Sequence, residues 1–314
     1  MLRYILHRLL MTVPTALLVA LAVFVMLRLV PGDPAQLMLG DTATEETLAE
    51  LRRQLGLDHS IPMQFMYWLG NVLVGDLGRS ITNDLPVLPL ILDRFRVSAS
   101  IVLAAVVLAT LVAVPAGMIA AWKQNSLGDL MIVAGATMLL SIPSFWLGLL
   151  MLLLFGVKLG WLPVVGYVSF GENFGRALAY VILPIATLTL IEIGVITRMA
   201  RAATIEVLRL EYITHARAKG VPEGRVLWRH ALPNAFAPTW TLIGLILGNL
   251  LGGIAVIETV FTLPGLGRLL VDGIFARDYP VVQGCLLFIA IMYVLVNLLV
   301  DLLYPVFDPR VAAE

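Results

Sequence analysis

Glu211-Tyr-Ile-Thr-His-Ala-Arg-Ala-Lys-Gly-Val-Pro-Glu-Gly-Arg-Val-Leu-Trp-Arg-His-Ala-Leu-Pro233 is a long polar island between two apolar spans. Its first half, Glu211 to Lys219, reads as a short helix. Gly220 stands where a left-handed cap belongs, and Pro222 follows where helix continuation is disfavoured. A second short helix, Glu223 to Leu232, is expected to stop at Pro233, whose ring clashes with the preceding turn. Arg217, Lys219, Arg225 and Arg229 make the surface basic. A helix–glycine–helix knob between two apolar spans is suited to being gripped by a soluble partner. The plainer reading is a positively charged cytoplasmic loop.

Working outward, the apolar spans are expected at about Leu9–Leu29, Ala99–Ala121, Leu130–Val157, Ala177–Thr197, Ala235–Val260 and Val281–Tyr304. A bilayer crossing needs about 20 residues, and each is long enough. The first follows His7 and Arg8 like a signal peptide, yet Arg28, Pro31 and Asp33 stand where a small-residue cleavage site would be, so an uncleaved helix is expected. Pro184 is read as an interruption of the fourth span. With the N-terminus inside, Arg198, Arg201, Arg209, Arg217, Lys219, Arg225 and Arg229 all fall in the cytoplasm, as the positive-inside rule asks, and both termini lie there too. Residues 1–96 then hold the first span and a polar extracytoplasmic excursion from Pro31 to Arg96. Residues 97–305 hold the other spans with a cytoplasmic loop at 198–234, and 306–314 form a tail. Within the excursion, Thr42 with Glu45 fits a capping box better than Thr44 with Thr47. Phe65, Met66, Tyr67 and Trp68 suggest an interfacial amphipathic piece. No internal repeat is evident.

Composition supports a membrane protein. The chain has 314 residues, 60% hydrophobic and 13% charged, with zero formal net charge. A soluble chain carries about a quarter charged residues. Nothing points to nucleic acid. The single cysteine, Cys285, lies in an apolar span and is read as a small core hydrophobe, without a disulfide or a thiolate metal site.

Catalytic motifs are missing from the sequence. Its three lysines precede Gln124, Leu159 and Gly220, so there is no phosphate loop ending in Lys-Ser or Lys-Thr, and ATP chemistry would belong to another polypeptide. The four histidines have no metal-ligand spacing, and there is no G-x-S-x-G. No catalytic residue, metal ligand or cofactor is expected in this chain. Glu192 lies mid-span, where a carboxylate must face protein or water. It is either a structural partner, for instance of Arg198, or a pathway residue meeting a cationic cargo end. Glu258 and Asp301 lie near span ends, where a structural role or exposure to headgroups suffices.

Several stretches together resemble one family. Ala216, Gly220, nine residues and then His230-Ala231-Leu232-Pro233 are similar to the E-A-A-x3-G-x9-I-x-L-P loop of ABC-transporter permeases, with Thr214, His215 and His230 departing from it. MLRYILHRLL, VPGDPA (Val30–Ala35), LGLD (Leu55–Asp58), GDLGRS (Gly75–Ser80), ARAKG, ETVFTLPGLGRLLVD (Glu258–Asp272), RDYPVVQG and NLLVDLLYPVFDPR (Arg277 to Arg310) resemble the B-type membrane subunit of dipeptide, oligopeptide, glutathione and nickel importers. Leu263 stands where many relatives carry Trp.

The resemblance implies an all-α, six-span type I importer permease in a bacterial inner membrane. Its implied partners are a second, non-identical permease, two cytoplasmic ATPases that bind ATP and Mg, and an extracytoplasmic solute-binding protein. Glu211, Thr214, His215, Ala216, Arg217, Ala218, Lys219 and Gly220 would contact the ATPase. Glu192, Glu258, Pro264, Gly265, Arg277 and Asp278 are candidates for a pathway or gate. Peptides are the implied cargo, with nickel chelates, glutathione and opine-like compounds as alternatives. An ion-coupled transporter or channel is the rival class, but it would show paired broken helices or several intramembrane acids.

Overall fold

Proline placement explains most of the differences between these expectations and the fold. The computed structural model describes residues 2–29, 36, 44–54 and 57–307. VPGDPA, Thr42, the first half of LGLD and the last residues of the tail lie outside the described residues. The helices are α1 (Leu2–Leu29), α2 (Glu45–Gln54), α3 (Ile61–Leu73) and α4 (Val87–Trp122). They continue with α5 (Leu127–Ser141), α6 (Ser144–Lys158), α7 (Phe174–Leu208) and α8 (Glu211–Ala218). Last come α9 (Glu223–Gly253), α10 (Ala255–Val260), α11 (Leu266–Phe275) and α12 (Tyr279–Phe307). Five of these are long and apolar enough to cross a membrane, and the pair α5 and α6 supplies a sixth crossing if counted as one.

That pair corrects the third expected span. Leu130–Val157 is not one rod: α5 and α6 meet at 96°. Ile142, held extended by the ring of Pro143 after it, ends α5, and Pro143 starts α6. Two other prolines act less than expected. Pro184 sits inside an unbroken α7. Pro233 does not stop a helix, because α9 widens into π-helical turns over Val226–Ala231 and resumes as α-helix at Leu232. The ring thus falls in the first turn of the resumed α-helix, where a missing N–H costs least. The second span begins at Val87, twelve residues before the expected Ala99. The fifth ends at Gly253, with α10 as a separate piece.

Packing separates inner from outer helices. Ala105, Ala109 and Ala113 form a small-residue stripe on α4, against which α7 lies. A Cβ on Gly117 would come within 2.6 Å of the Thr197 carbonyl, so the two backbones touch there. The two helices run parallel, since Thr189 Oγ1 reaches the Ala105 carbonyl at 3.4 Å while Gly117 meets Thr197. Gly244 and Gly248, four residues apart on α9, admit Val300 and the ring of Tyr293 of α12 in the same way. Helix α1 packs outside α12, fixed at one end by Arg8 to Asp301 at 2.8 Å and by Tyr4 Oη to the Asp301 carbonyl at 3.0 Å.

In the excursion, Thr44 and Thr47 make a reciprocal cap at the start of α2: each hydroxyl accepts the other's backbone N–H, at 3.3 and 3.0 Å. Phe65 and Trp68 are not free surface aromatics. They pack on Phe24 of α1, with centroids 5.4 and 5.6 Å away, and leave Met66 and Tyr67 exposed.

Candidate functional site

Helix α8 is built as the sequence suggests and held in ways it did not reveal. The Gly220 N–H donates to the Arg217 carbonyl at 2.9 Å, and the Val221 N–H donates to that of Ala216 at 3.2 Å. This pair of bonds is the Schellman arrangement, and it requires the left-handed conformation that Gly220 adopts at φ 75°. Pro222 then starts the next helix. Across the turn Arg217 makes a bidentate pair with Glu223, at 2.8 and 3.1 Å. Part of the basic charge is therefore spent within the knob.

The inward and outward faces of α8 are distinct. Ile213, 0% exposed, and Ala216 join the core alongside Val226, Leu227 and Ala231 of the π-helical turns. Ala216 is thus an anchor, whereas Glu211, Thr214, His215, Arg217, Ala218, Lys219 and Gly220 remain exposed. Tyr212 reaches across to α9: its Oη donates to the His230 carbonyl at 3.2 Å and accepts from Asn234 Nδ2 at 2.8 Å. One helix earlier, Arg201 of α7 holds Asp129 at 2.6 and 2.7 Å, and Asp129 also accepts the Asn125 N–H. Tyr212, Asn234, Asp129 and Arg201 were not singled out as site residues in the sequence. They are pairs 22 and 72 residues apart, and one sequence carries no sign of such partnership.

The candidates at the opposite end of the bundle are tied into the packing to different degrees. Glu258, 0% exposed, is not at a headgroup surface. Its carboxylate accepts from the Ser98 hydroxyl of α4 and from the Arg268 N–H in the first turn of α11, while Ser98 Oγ in turn accepts the Leu266 N–H. A carboxylate is favoured at such a helix start, where N–H groups lack partners. Gly265 lies against it so closely that any Cβ would overlap the Glu258 carboxylate. Pro264 is half-buried, and Leu263 is wholly buried in the core.

Asp278 is also buried. It caps α12 through the Val281 N–H, at 3.4 Å, and binds the Ser80 hydroxyl of GDLGRS, so two motifs about 200 residues apart close on one another. Arg277 is exposed and left-handed, at φ 56°. Glu192 stands apart from these. It is 8% exposed in the middle of α7, and no ion pair with Arg198 forms among the described residues.

With this geometry in hand, comparison with known proteins is direct. The model of the binding-protein-dependent transport system inner membrane component matches residues 113–313, and that of its N-terminal part matches residues 1–102. A peptide transport system permease protein of Brucella suis biovar 1 is 44% identical over 98% of both chains. A peptide ABC transporter permease protein of Sinorhizobium fredii is 40% identical over 98% of both. The dipeptide transport system permease protein of Escherichia coli K12 is 40% identical over 99% of both. The crystal structure of an amino acid ABC transporter with histidines aligns at a TM-score of 0.46 and 17% identity, over 71% of this chain and 94% of that one. The match of both models along the chain and the full-length identity to permeases assign it: this multi-pass membrane protein belongs to the family of binding-protein-dependent transport system inner membrane components.

Proposed function

We propose that this chain is one half of the membrane pathway of an ATP-driven importer of peptides, and that α8 is the element a cytoplasmic ATPase grips. The observation that carries the reading is the build of α8. It is a short capped helix between two spans, with Ile213 and Ala216 sunk in the core and a polar face left open. The relatives named as peptide and dipeptide permeases support peptide cargo. The chain itself hydrolyses nothing on this reading. ATP and Mg are bound by two separate ATPases, a second, non-identical permease completes the pathway, and a solute-binding protein delivers cargo on the far side. Both termini and α8 face the cytoplasm of a bacterial inner membrane.

The test is reconstitution in liposomes with those partners. Uptake of a labelled dipeptide should require ATP and the binding protein, and an external thiol reagent should label cysteines placed at 166–173 but not at Glu223. Uptake driven by an ion gradient without ATP would favour the secondary-transporter class instead, and external labelling at Glu223 would invert the topology.

Within the pathway, Glu192 is assigned the counter-charge for a cargo ammonium group. A lone carboxylate at that depth costs about 2.5–3.5 kcal/mol on insertion scales, and it has no cation to offset it among the described residues. Glu192→Gln should leave assembly and basal ATP hydrolysis in place. Uptake of a dipeptide with a free amino terminus should fall more than uptake of its N-acetylated analogue. Equal loss for both would make the residue structural.

A further inference from the structure

Two unlike links join α8 to the start of α9. One is apolar: Ile213 and Ala216 share a core with Val226, Leu227 and Ala231. The other is polar and lies at the downstream edge of the π-helical turns. Tyr212 Oη donates to the His230 carbonyl at 3.2 Å, Asn234 Nδ2 donates to Tyr212 Oη at 2.8 Å, and the same amide approaches the His230 carbonyl at 3.4 Å. The triangle therefore bridges the last π-helical residues and the first turn of the α-helical span.

Position gives this triangle its consequence. Widened helical turns are where a long helix most readily yields, and here they stand between α8 and the membrane part of α9. An apolar plug resists separation but is non-directional, and it permits α8 to rock about it. Directional hydrogen bonds across the turns do not permit that. Tyr212 is itself 37% exposed, but its hydroxyl is engaged with α9 through both bonds.

We infer that Tyr212, with Asn234, is a positioning clasp that makes α8 and the membrane span of α9 move as one body, so that a displacement imposed on α8 reaches the membrane. The inference rests on the reading of α8 as the ATPase contact. In that setting the clasp determines how much of the ATPase's motion is transmitted, and the π-helical turns are the point where it is lost when the clasp is missing. A two-state packing responds only to the free-energy difference delivered to it.

The experiment uses the assembled complex and a probe that does not depend on cargo. Thr241 is exposed on α9, and the single native cysteine, Cys285, is buried, so a spin label on Thr241→Cys reports the span alone. ATP with vanadate should change the label's spectrum in the otherwise unaltered chain. Tyr212→Phe keeps the ring and removes both bonds. ATPase should still copurify and hydrolyse ATP at an undiminished rate, while the fraction of label that responds falls about fivefold, as expected for loss of one or two net hydrogen bonds. Asn234→Ala leaves the bond from Tyr212 to the His230 carbonyl and should give a smaller loss, and the double variant should be no worse than Tyr212→Phe alone, because that change already removes both of the tyrosine's bonds.

An unchanged response in Tyr212→Phe overturns the clasp, and so does additive loss in the double variant. Loss of ATPase copurification in Tyr212→Phe also overturns it, by making Tyr212 a docking residue. If the chain with Tyr212 intact binds ATPase but shows no ATP-driven change at position 241, α9 is not moved and the clasp fails. If it binds no ATPase at all, the parent reading of α8 fails first.

Discussion

The two ends of the bundle are fastened with different materials. At the Glu258 end, buried carboxylates accept hydrogen bonds from distant segments: Glu258 binds Ser98 and the start of α11, and Asp278 binds Ser80 and the start of α12. At the Gly220 end, the fastenings are an exposed ion pair, Arg217 to Glu223, a glycine cap and a tyrosine clasp. A buried charged acceptor leaves an expensive unsatisfied group if its partner is lost, whereas an exposed pair is rescued by water. The first end is welded shut around its connectors. The second keeps its polar groups in reach of another molecule.

The comparison can be broken most easily at the welded end. Glu258→Ala strands the Arg268 N–H in the core and leaves the Ser98 hydroxyl only the long bond to the Arg94 carbonyl, at 3.4 Å, and should cost about 3 kcal/mol or more. The detergent-solubilised protein should show a clearly lowered Tm and reduced membrane abundance. Gly265→Ala should do the same by overlap with the carboxylate, although it removes no hydrogen bond. A stable Gly265→Ala protein would mean that the corner is looser than described.

Gly220→Val should be smaller in energy and more specific in effect. A β-branched residue at φ 75° costs at least about 1 kcal/mol locally, and the membrane bundle does not depend on it. The permease should remain in the membrane while ATPase copurification is lost. Wild-type copurification would remove the cap from the contact.

Arg217→Ala should have the smallest effect on stability. Its pair with Glu223 is more than a third exposed on both sides, and pairs of that kind contribute roughly 0–1 kcal/mol, screened by salt. Tm should be nearly unchanged and insensitive to ionic strength. A large destabilisation would show that the two ends are fastened alike, and would erase the contrast.

The sequence by itself determined what depends on neighbours along the chain. Apolar runs long enough to span a bilayer, the left-handed Gly220 with Pro222 behind it, and the basic island between two spans were all legible, because length, backbone chirality and local charge are properties of contiguous residues. Family membership was legible too, in motifs spread from GDLGRS to the last helix.

Proline was only half legible. The effect of Pro143 and the harmlessness of Pro184 and Pro233 depend on whether surrounding turns can widen or bend, which packing decides. That Glu192 faces protein or water, and that a structural role suffices for Glu258, could be read from the sequence, but the partners of the two acids could not. Both are acids in apolar surroundings, yet Glu258 has Ser98 and a helix start folded onto it, while Glu192 has no such partner among the described residues. What separates them is the approach of segments up to 160 residues away, and only tertiary structure sets that distance.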